Sequence, residues 1–407
     1  MRAQLTHGVA AVNTAPHVRH SATVRDDSQS GLSRNGATHG GKMACEGDEA
    51  ESVSTPVSGD RILIVQLRQM GDVLVTTPVI RVLRQHRPRS HIAFLVERPS
   101  YHILSGNPYL DEILVLDRER YGSPFYVVNV LRTIRQKRFD LVFDFLGNPR
   151  SALIAYCSGA RVRVGYDFRV RKHFYTHIVR RDVQPKYAVD FKMDALRAIG
   201  IDGRGEHTLD FFVPPEAHLF AEGFVRREGI GQNDVVIAVS PTSRRPYKRW
   251  PLSRFARVSD WLIAAWGAKI LLLWGPGERE VVGKMRALME REPIISPQTP
   301  TVKEVGALLE RCAFLISNDN GTKHIAVALG VPTITIHGPS NPVNWTPATG
   351  EHIAVKRESG CVTCERTSCS QFACLEAVAV EDVKEAVVQL SEGVPQVGHR
   401  LECALKR

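Results

Sequence analysis

One stretch constrains this chain more than any other: Ser317-Asn318-Asp319-Asn320-Gly321-Thr322-Lys323-His324-Ile325-Ala326-Val327-Ala328-Leu329-Gly330-Val331-Pro332. It follows the apolar run Phe314-Leu315-Ile316 and precedes Thr333-Ile334-Thr335-Ile336, so the order reads strand, glycine-containing loop, short helix, strand. A glycine in such a loop lets the backbone approach a ligand closely. The helix that follows points unpaired N–H groups and its positive dipole end at the same spot. The corner suits a diphosphate beside the end of a parallel sheet. A second loop of this kind, Gln66-Leu67-Arg68-Gln69-Met70-Gly71-Asp72-Val73, lies roughly 250 residues earlier.

The chain has 407 residues, more than one ordinary core accommodates, and two domains are expected. Residues 1–58 are rich in Ser, Thr, Gly, His and Asn with little apolar content, and disorder is expected there. From Arg61 the character changes. Ile62-Leu63-Ile64-Val65 reads as a buried strand, followed by the Gly71-Asp72 loop and a helix over Val73 to His86. Further strands are expected at Ile92–Val96, Glu112–Leu116, Leu141–Phe145 and Arg161–Gly165. A second alternation follows at Val235–Val239, Ile270–Leu273, Phe314–Ser317 and Thr333–Ile336. The expected fold class is α/β, two Rossmann-like domains facing across a cleft, with residues 59–212 as the first and 233–395 as the second. Residues 213–232 are expected to connect them, a final helix to run from Val380 to Leu390, and residues 396–407 to form a loose tail. No internal repeat is visible.

Composition, 43% hydrophobic and 24% charged, is that of a soluble globular protein. No apolar stretch reaches the ~20 residues needed to span a bilayer, and the N-terminus has no apolar export signal; a cytoplasmic location is expected. The net charge is +10, and the densest basic stretch, Arg161 to Lys186, holds eight basic and two acidic residues. Arg171, Lys172 and Arg180 are interleaved there with Phe168, Phe174 and Tyr175. This mixture fits nucleic acid, a phosphorylated ligand or an anionic membrane surface, and equally an ordinary solvated face. Among eight cysteines, Cys361, Cys364, Cys369 and Cys374 are grouped. They are compatible with a four-thiolate zinc site, and a reduced or disulfide-capable loop fits them as well.

Asp72 stands just after a strand and a glycine, where open α/β sheets bind ligands. A carboxylate there can accept a proton from an attacking hydroxyl, or merely complement a helix dipole. Pro241-Thr242-Ser243-Arg244-Arg245-Pro246-Tyr247-Lys248-Arg249-Trp250-Pro251 follows the second domain's first strand. Its hydroxyls and cations suit the phosphates of a nucleotide, or a solvated surface. Glu278, in Trp274-Gly275-Pro276-Gly277-Glu278, could bind ribose hydroxyls or open a helix.

Ile62–Pro78, Lys248-Arg249-Trp250-Pro251, Gly275-x-Gly277-Glu278 and Asp319-x-Gly321-x-x-His324 occur in the order seen in the bacterial heptosyltransferases. So do the flanking Ser105-Gly106-Asn107-Pro108, Phe139–Asp144 and Gly338-Pro339-Ser340-Asn341-Pro342. From about Arg61 to Leu390 the chain resembles that family, glycosyltransferase family 9. The resemblance implies a GT-B fold and transfer of heptose from ADP-heptose to the lipopolysaccharide inner core. It implies Asp72 as general base and Lys248 on the phosphates. Thr242 or Ser243, Glu278, Asp319, Asn320, Gly321, Thr322 and His324 would line the ADP site. Asn320 departs from the usual Ser or Thr. The wording Gly71-Asp72-Val73-Leu74-Val75-Thr76-Thr77-Pro78 leans to types II and III. No metal is expected, since no Asp-x-Asp occurs. The expected partners are the donor, the inner-core acceptor held by Arg171, Lys172 and Arg180, and the anionic inner face of the inner membrane. Nucleic acid is not expected, and the enzyme is expected to be a monomer. Other readings are a glycosyltransferase using another sugar nucleotide, an NAD-dependent oxidoreductase lacking the usual Gly-x-Gly-x-x-Gly, and a nucleic-acid-binding module. The last leaves Asp72, Glu278 and the His324 loop without a task.

Overall fold

The computed structural model describes residues 10–13, 60–180, 184–203, 205, 207–358 and 372–405. Two sheets organise it. The first contains β1 (Ala10–Asn13), β2 (Arg61–Val65), β3 (His91–Glu97), β4 (Glu112–Leu116), β5 (Leu141–Asp144), β6 (Val162–Tyr166) and β7 (His177–Val179). Its order is β1-β4-β3-β2-β5-β6-β7, all parallel except β1. The second contains β8 (Val236–Ser240), β9 (Lys269–Leu272), β10 (Ile294–Ile295), β11 (Phe314–Asn318), β12 (Thr333–Ile336) and β13 (His352–Val355), in the order β10-β9-β8-β11-β12-β13. With β1 set aside, both halves share one doubly wound strand order, although the sequence shows no repeat. The expected α/β architecture with two Rossmann-like halves is present, and the chain has the GT-B fold.

The central strands read as continuous apolar runs because helices cover both faces. Ile62, Leu63, Ile64 and Val65 are all fully buried, as are Phe314, Leu315 and Ile316. Strand order reverses between β2 and β5 in the first half and between β8 and β11 in the second. Loops at such switch points open into a crevice that no crossover helix covers, and ligands bind there. The Asp72 loop follows β2, the Lys248 loop follows β8, and the Asp319 loop follows β11.

Several expectations need correction. The helix expected over Val73 to His86 is two helices, α1 (Met70–Leu74) and α2 (Thr77–His86). The Pro78 ring would clash with the Leu74 carbonyl in a continuous helix, and that carbonyl instead accepts from Thr77 Oγ1 at 2.7 Å. Strands β7, β10 and β13 were not expected. They are short edge strands whose patterns are too brief to stand out from their loops. Within residues 1–58, where disorder is expected, Ala10–Asn13 pairs antiparallel with β4, whose outer edge would otherwise be open. The expected connection holds helix Pro215–Arg227, which buries Ala217, Ala221 and Phe224. Residues expected as a loose tail form helix Pro395–Leu405, with Val397 and Leu401, one turn apart, buried in the second core. Cys361, Cys364 and Cys369 lie outside the described residues, and with them the zinc question. No described helix is long and apolar enough to cross a membrane.

Candidate active site

The second half builds its corner by tying two loops together. Asn318, at the end of β11, accepts from the Trp250 N–H at 2.9 Å and donates to the Pro241 carbonyl at 2.7 Å. Asn320 donates to Ser240 Oγ at 3.0 Å and to the Thr242 carbonyl at 2.9 Å, while its Oδ1 accepts from the Lys323 N–H at 3.1 Å. That last bond caps helix Gly321–Ala328. The departure from Ser or Thr at position 320 is thereby explained. Asn caps a helix as well as they do, and its amide offers two donors where a hydroxyl has one. Thr242 and Ser243 are buried beneath this joint.

Asp319 is the electrostatic centre. Its Oδ2 accepts from Lys248 Nζ at 2.6 Å and from Ser340 Oγ at 2.8 Å, and its Oδ1 lies 3.5 Å from Lys323 Nζ. Burial pushes its carboxyl up, but Lys323 and Lys248 more than offset this and hold it well below the usual carboxylate range. Lys323 is fully buried and also donates to the Trp345 carbonyl at 2.6 Å; burial lowers its ammonium to about 8. Two lysines on one carboxylate leave a net positive corner at the first turn of a helix, an arrangement that suits an anionic group such as a diphosphate.

His324 is buried and neutral, since burial and then Lys323 lower it well below the usual imidazole range. Its Nδ1 has no hydrogen-bond partner among the described residues. A buried polar atom left unpaired is costly, and a bound group that donates or accepts there would satisfy it. The imidazole also reaches across the cleft. A Cβ on Gly71 would lie 2.7 Å from His324 Cδ2, closer than any real contact, so only glycine permits this approach. Gly321 similarly faces Met70, whose Cε would lie 3.3 Å from an added Cβ. The two sequence-expected loops therefore meet face to face.

Asp72, one residue on, is the carboxylate of the first half. Burial raises its proton affinity; Lys192, the Gln69 N–H and Lys248 pull it back, and Asp319 pushes it up again. A carboxylate raised in this way is a better proton acceptor near neutrality than a solvated one.

Glu278 is half-buried at the start of helix Arg279–Ala287, and its Oε2 accepts from the Gly275 N–H at 2.9 Å. It is held at the C-terminal edge of the second sheet, beyond β9. Lys172 lies 3.7 Å from Asp167, the Arg171 guanidinium 5.1 Å from the Phe168 ring centre, and Arg180 is exposed. The aromatic part of this stretch is not all surface: Tyr175 is buried and donates to Asp144 Oδ2 at 2.8 Å. Among the described residues no group of three or more His, Cys, Asp or Glu is placed to hold a metal.

Sequence reasoning overlooked Lys192, Lys323, Asn318, Ser340 and His337. Lys192 had a visible signal. It shares the spacing of Val189, Met193 and Leu196, the buried face of helix Ala188–Arg197, where a lysine is out of character. His337, fully buried, joins Ser340 Oγ at 3.2 Å to Thr346 Oγ1 at 3.0 Å and so fixes the serine on Asp319.

Two doubly wound halves closing a cleft between a cationic corner and a lone carboxylate place the chain among the GT-B glycosyltransferases. Within them, the pattern of glycosyltransferase family 9 (heptosyltransferase) matches residues 127–374, and the chain belongs to that family. Lipopolysaccharide heptosyltransferase 3 of Escherichia coli K12 is 28% identical over 298 residues, 70% of this chain and 84% of the relative. A solved family 9 glycosyltransferase from Veillonella parvula is 28% identical, with TM-score 0.74, covering 83% of this chain and 99% of that one. An E. coli heptosyltransferase solved with ADP shares the fold at TM-score 0.61 and 21% identity, covering 81% and 99%. The protein is an enzyme, a glycosyltransferase, and the oxidoreductase and nucleic-acid-binding readings are set aside.

Proposed function

We propose that this enzyme transfers heptose from ADP-heptose to the inner core of lipopolysaccharide, with inversion at the anomeric carbon. The observation that carries the reading is the contact between Gly71 and His324. It brings Asp72 from one half opposite Lys248, Asp319 and the helix at Gly321 from the other. In a direct displacement, the acceptor hydroxyl loses its proton to Asp72 as its oxygen bonds the anomeric carbon. The bond from that carbon to the diphosphate breaks on the opposite face, and the electron pair leaves on the diphosphate. Lys248 and the helix N-terminus stabilise the charge that accumulates there. Thr242, Ser243, Asn320 and Thr322 surround the phosphates in this reading, and Glu278 takes the ribose. No metal is required, because the lysines supply the positive charge.

The type 3 enzymes of E. coli, at 27 and 28% identity, stand above the type 1 and type 2 enzymes of E. coli K12, at 23 and 22%. These values favour the third-heptose side of the type II/III lean. The acceptor is anionic and membrane-held, so Arg171, Lys172 and Arg180 serve it peripherally at the cytoplasmic face of the inner membrane, one chain acting alone. The test is a donor screen by mass spectrometry on truncated core lipids. ADP-heptose should add one heptose to a core already carrying two. Transfer from a different sugar nucleotide only, or none to any core, overturns the reading.

A further inference from the structure

We propose that Lys192 is the positioning residue of the base: it holds the Asp72 loop in place and its charge keeps Asp72 ready to accept a proton. The inference rests on the reading of Asp72 as that base. Lys192 is 6% exposed and sits on helix Ala188–Arg197, under the first half's cleft. Its Nζ donates to Gln66 Oε1 at 3.2 Å and lies 4.9 Å from the centre of the Phe145 ring. Gln66 Nε2 in turn donates to the Arg68 carbonyl at 2.6 Å. The chain Lys192–Gln66–Arg68 therefore runs into the loop whose next turn carries Asp72. A buried lysine with only neutral neighbours would be strongly destabilising, and here two carboxylates stabilise it. Asp72 contributes first and Asp144 second, while burial lowers the ammonium to about 8. Reciprocally, Lys192 is the largest influence holding Asp72 ionised, ahead of Lys248 on the opposite half, and Asp319 opposes both. Asp144 is itself saturated by the Tyr175 hydroxyl at 2.8 Å and by the Leu146 and Gly147 N–H groups at 3.0 Å each. Burial raises the Asp144 carboxyl as well, but these bonds tie it down inside the first half, whereas Asp72 stands on the loop that meets the second half.

The consequence for turnover follows. Once Asp72 has taken the acceptor proton, Lys192 is left facing a neutral carboxyl and one remaining anion. The site then favours release of that proton to water, which restores the base.

The test is the pH dependence of kcat/KM. In the native enzyme its acid limb should belong to Asp72 and be absent in Asp72→Asn. Lys192→Met should move that limb up by about one pH unit, an effect in the range of one close opposite charge. It should lower kcat about tenfold on the limb and leave ADP affinity unchanged; Lys192→Arg should restore the limb. A folded Lys192→Met with an unmoved limb overturns the proposal. Should that variant fail to fold, Asp144→Asn carries the test with the opposite sign. It removes the competing carboxylate, so the limb should move down, and an unmoved limb is again fatal. If Asp72→Asn retains both native kcat and the native limb, the base assignment fails and not the influence of Lys192.

Discussion

The two halves of the cleft share a strand order and differ in how they treat charge. The corner in the second half is densely paired: Asp319 has two lysines and a serine, Asn318 uses both ends of its amide on the Trp250 loop, and Asn320 ties that loop to the cap of its own helix. Its carboxylate is locked ionised and its histidines locked neutral, His337 down to about 3 through burial and Lys323. In the first half the carboxylate on the loop that meets the corner, Asp72, is raised toward neutrality by burial. In the proposed reaction one half holds a constant charge against a diphosphate, and the other changes charge once per turnover. Similar loops at equivalent switch points thus carry different chemistry, decided by the partners each carboxylate is given.

The largest expected effect comes from breaking the changeable side. Asp72→Asn should lower kcat by roughly 10²–10⁴ while ADP still binds, the range for losing a positioned base; near-normal kcat at saturation would make Asp72 a helix-start acid. Next comes the constant side. Lys248→Ala should lower kcat by roughly 10²–10³ and weaken donor binding too, since a phosphate contact acts before and during charge development. Titration calorimetry with ADP, alongside steady-state rates, separates the two signatures. An effect on kcat alone would move Lys248 off the ground-state donor.

Gly71→Ala tests the join between the halves. The added methyl meets the His324 ring, and overpacking of this kind costs about 1–3 kcal/mol, paid only in the closed arrangement. Activity should fall roughly 5- to 160-fold with little change in melting temperature. A marked drop in melting temperature would show that the contact holds the fold instead. The smallest effect belongs to the outer surface: replacing Arg171, Lys172 and Arg180 with Gln should raise the acceptor KM roughly 2- to 10-fold at low salt, fading as salt rises. An unchanged KM would return these residues to ordinary solvated surface.

The sequence announced the central strands and the loops that follow them, because a buried parallel strand is a contiguous apolar run and its loop lies next to it in the chain. Asp72, Lys248, Asp319 and His324 were legible for that reason. Lys192 and Asp144 were not, since their relation to Asp72 crosses 120 and 72 residues and exists only once the sheet has formed. Asn318 is the intermediate case: it was in the stretch that framed the fold, but its partners, Trp250 and Pro241, are on another strand's loop. The helix break at Val75–Thr76 was not legible, because Pro78 fits the early turns of one helix from Val73 as well as the second position of a new one from Thr77.

A glycine that a methyl group cannot replace has a consequence in time as well as in space. With Gly71 against His324, the cationic corner is walled by the opposite half, so a molecule held against that corner can enter or leave only when the two loops part. Under the proposed reaction the same contact encloses the donor, and stray water then has little opportunity to take the place of the acceptor.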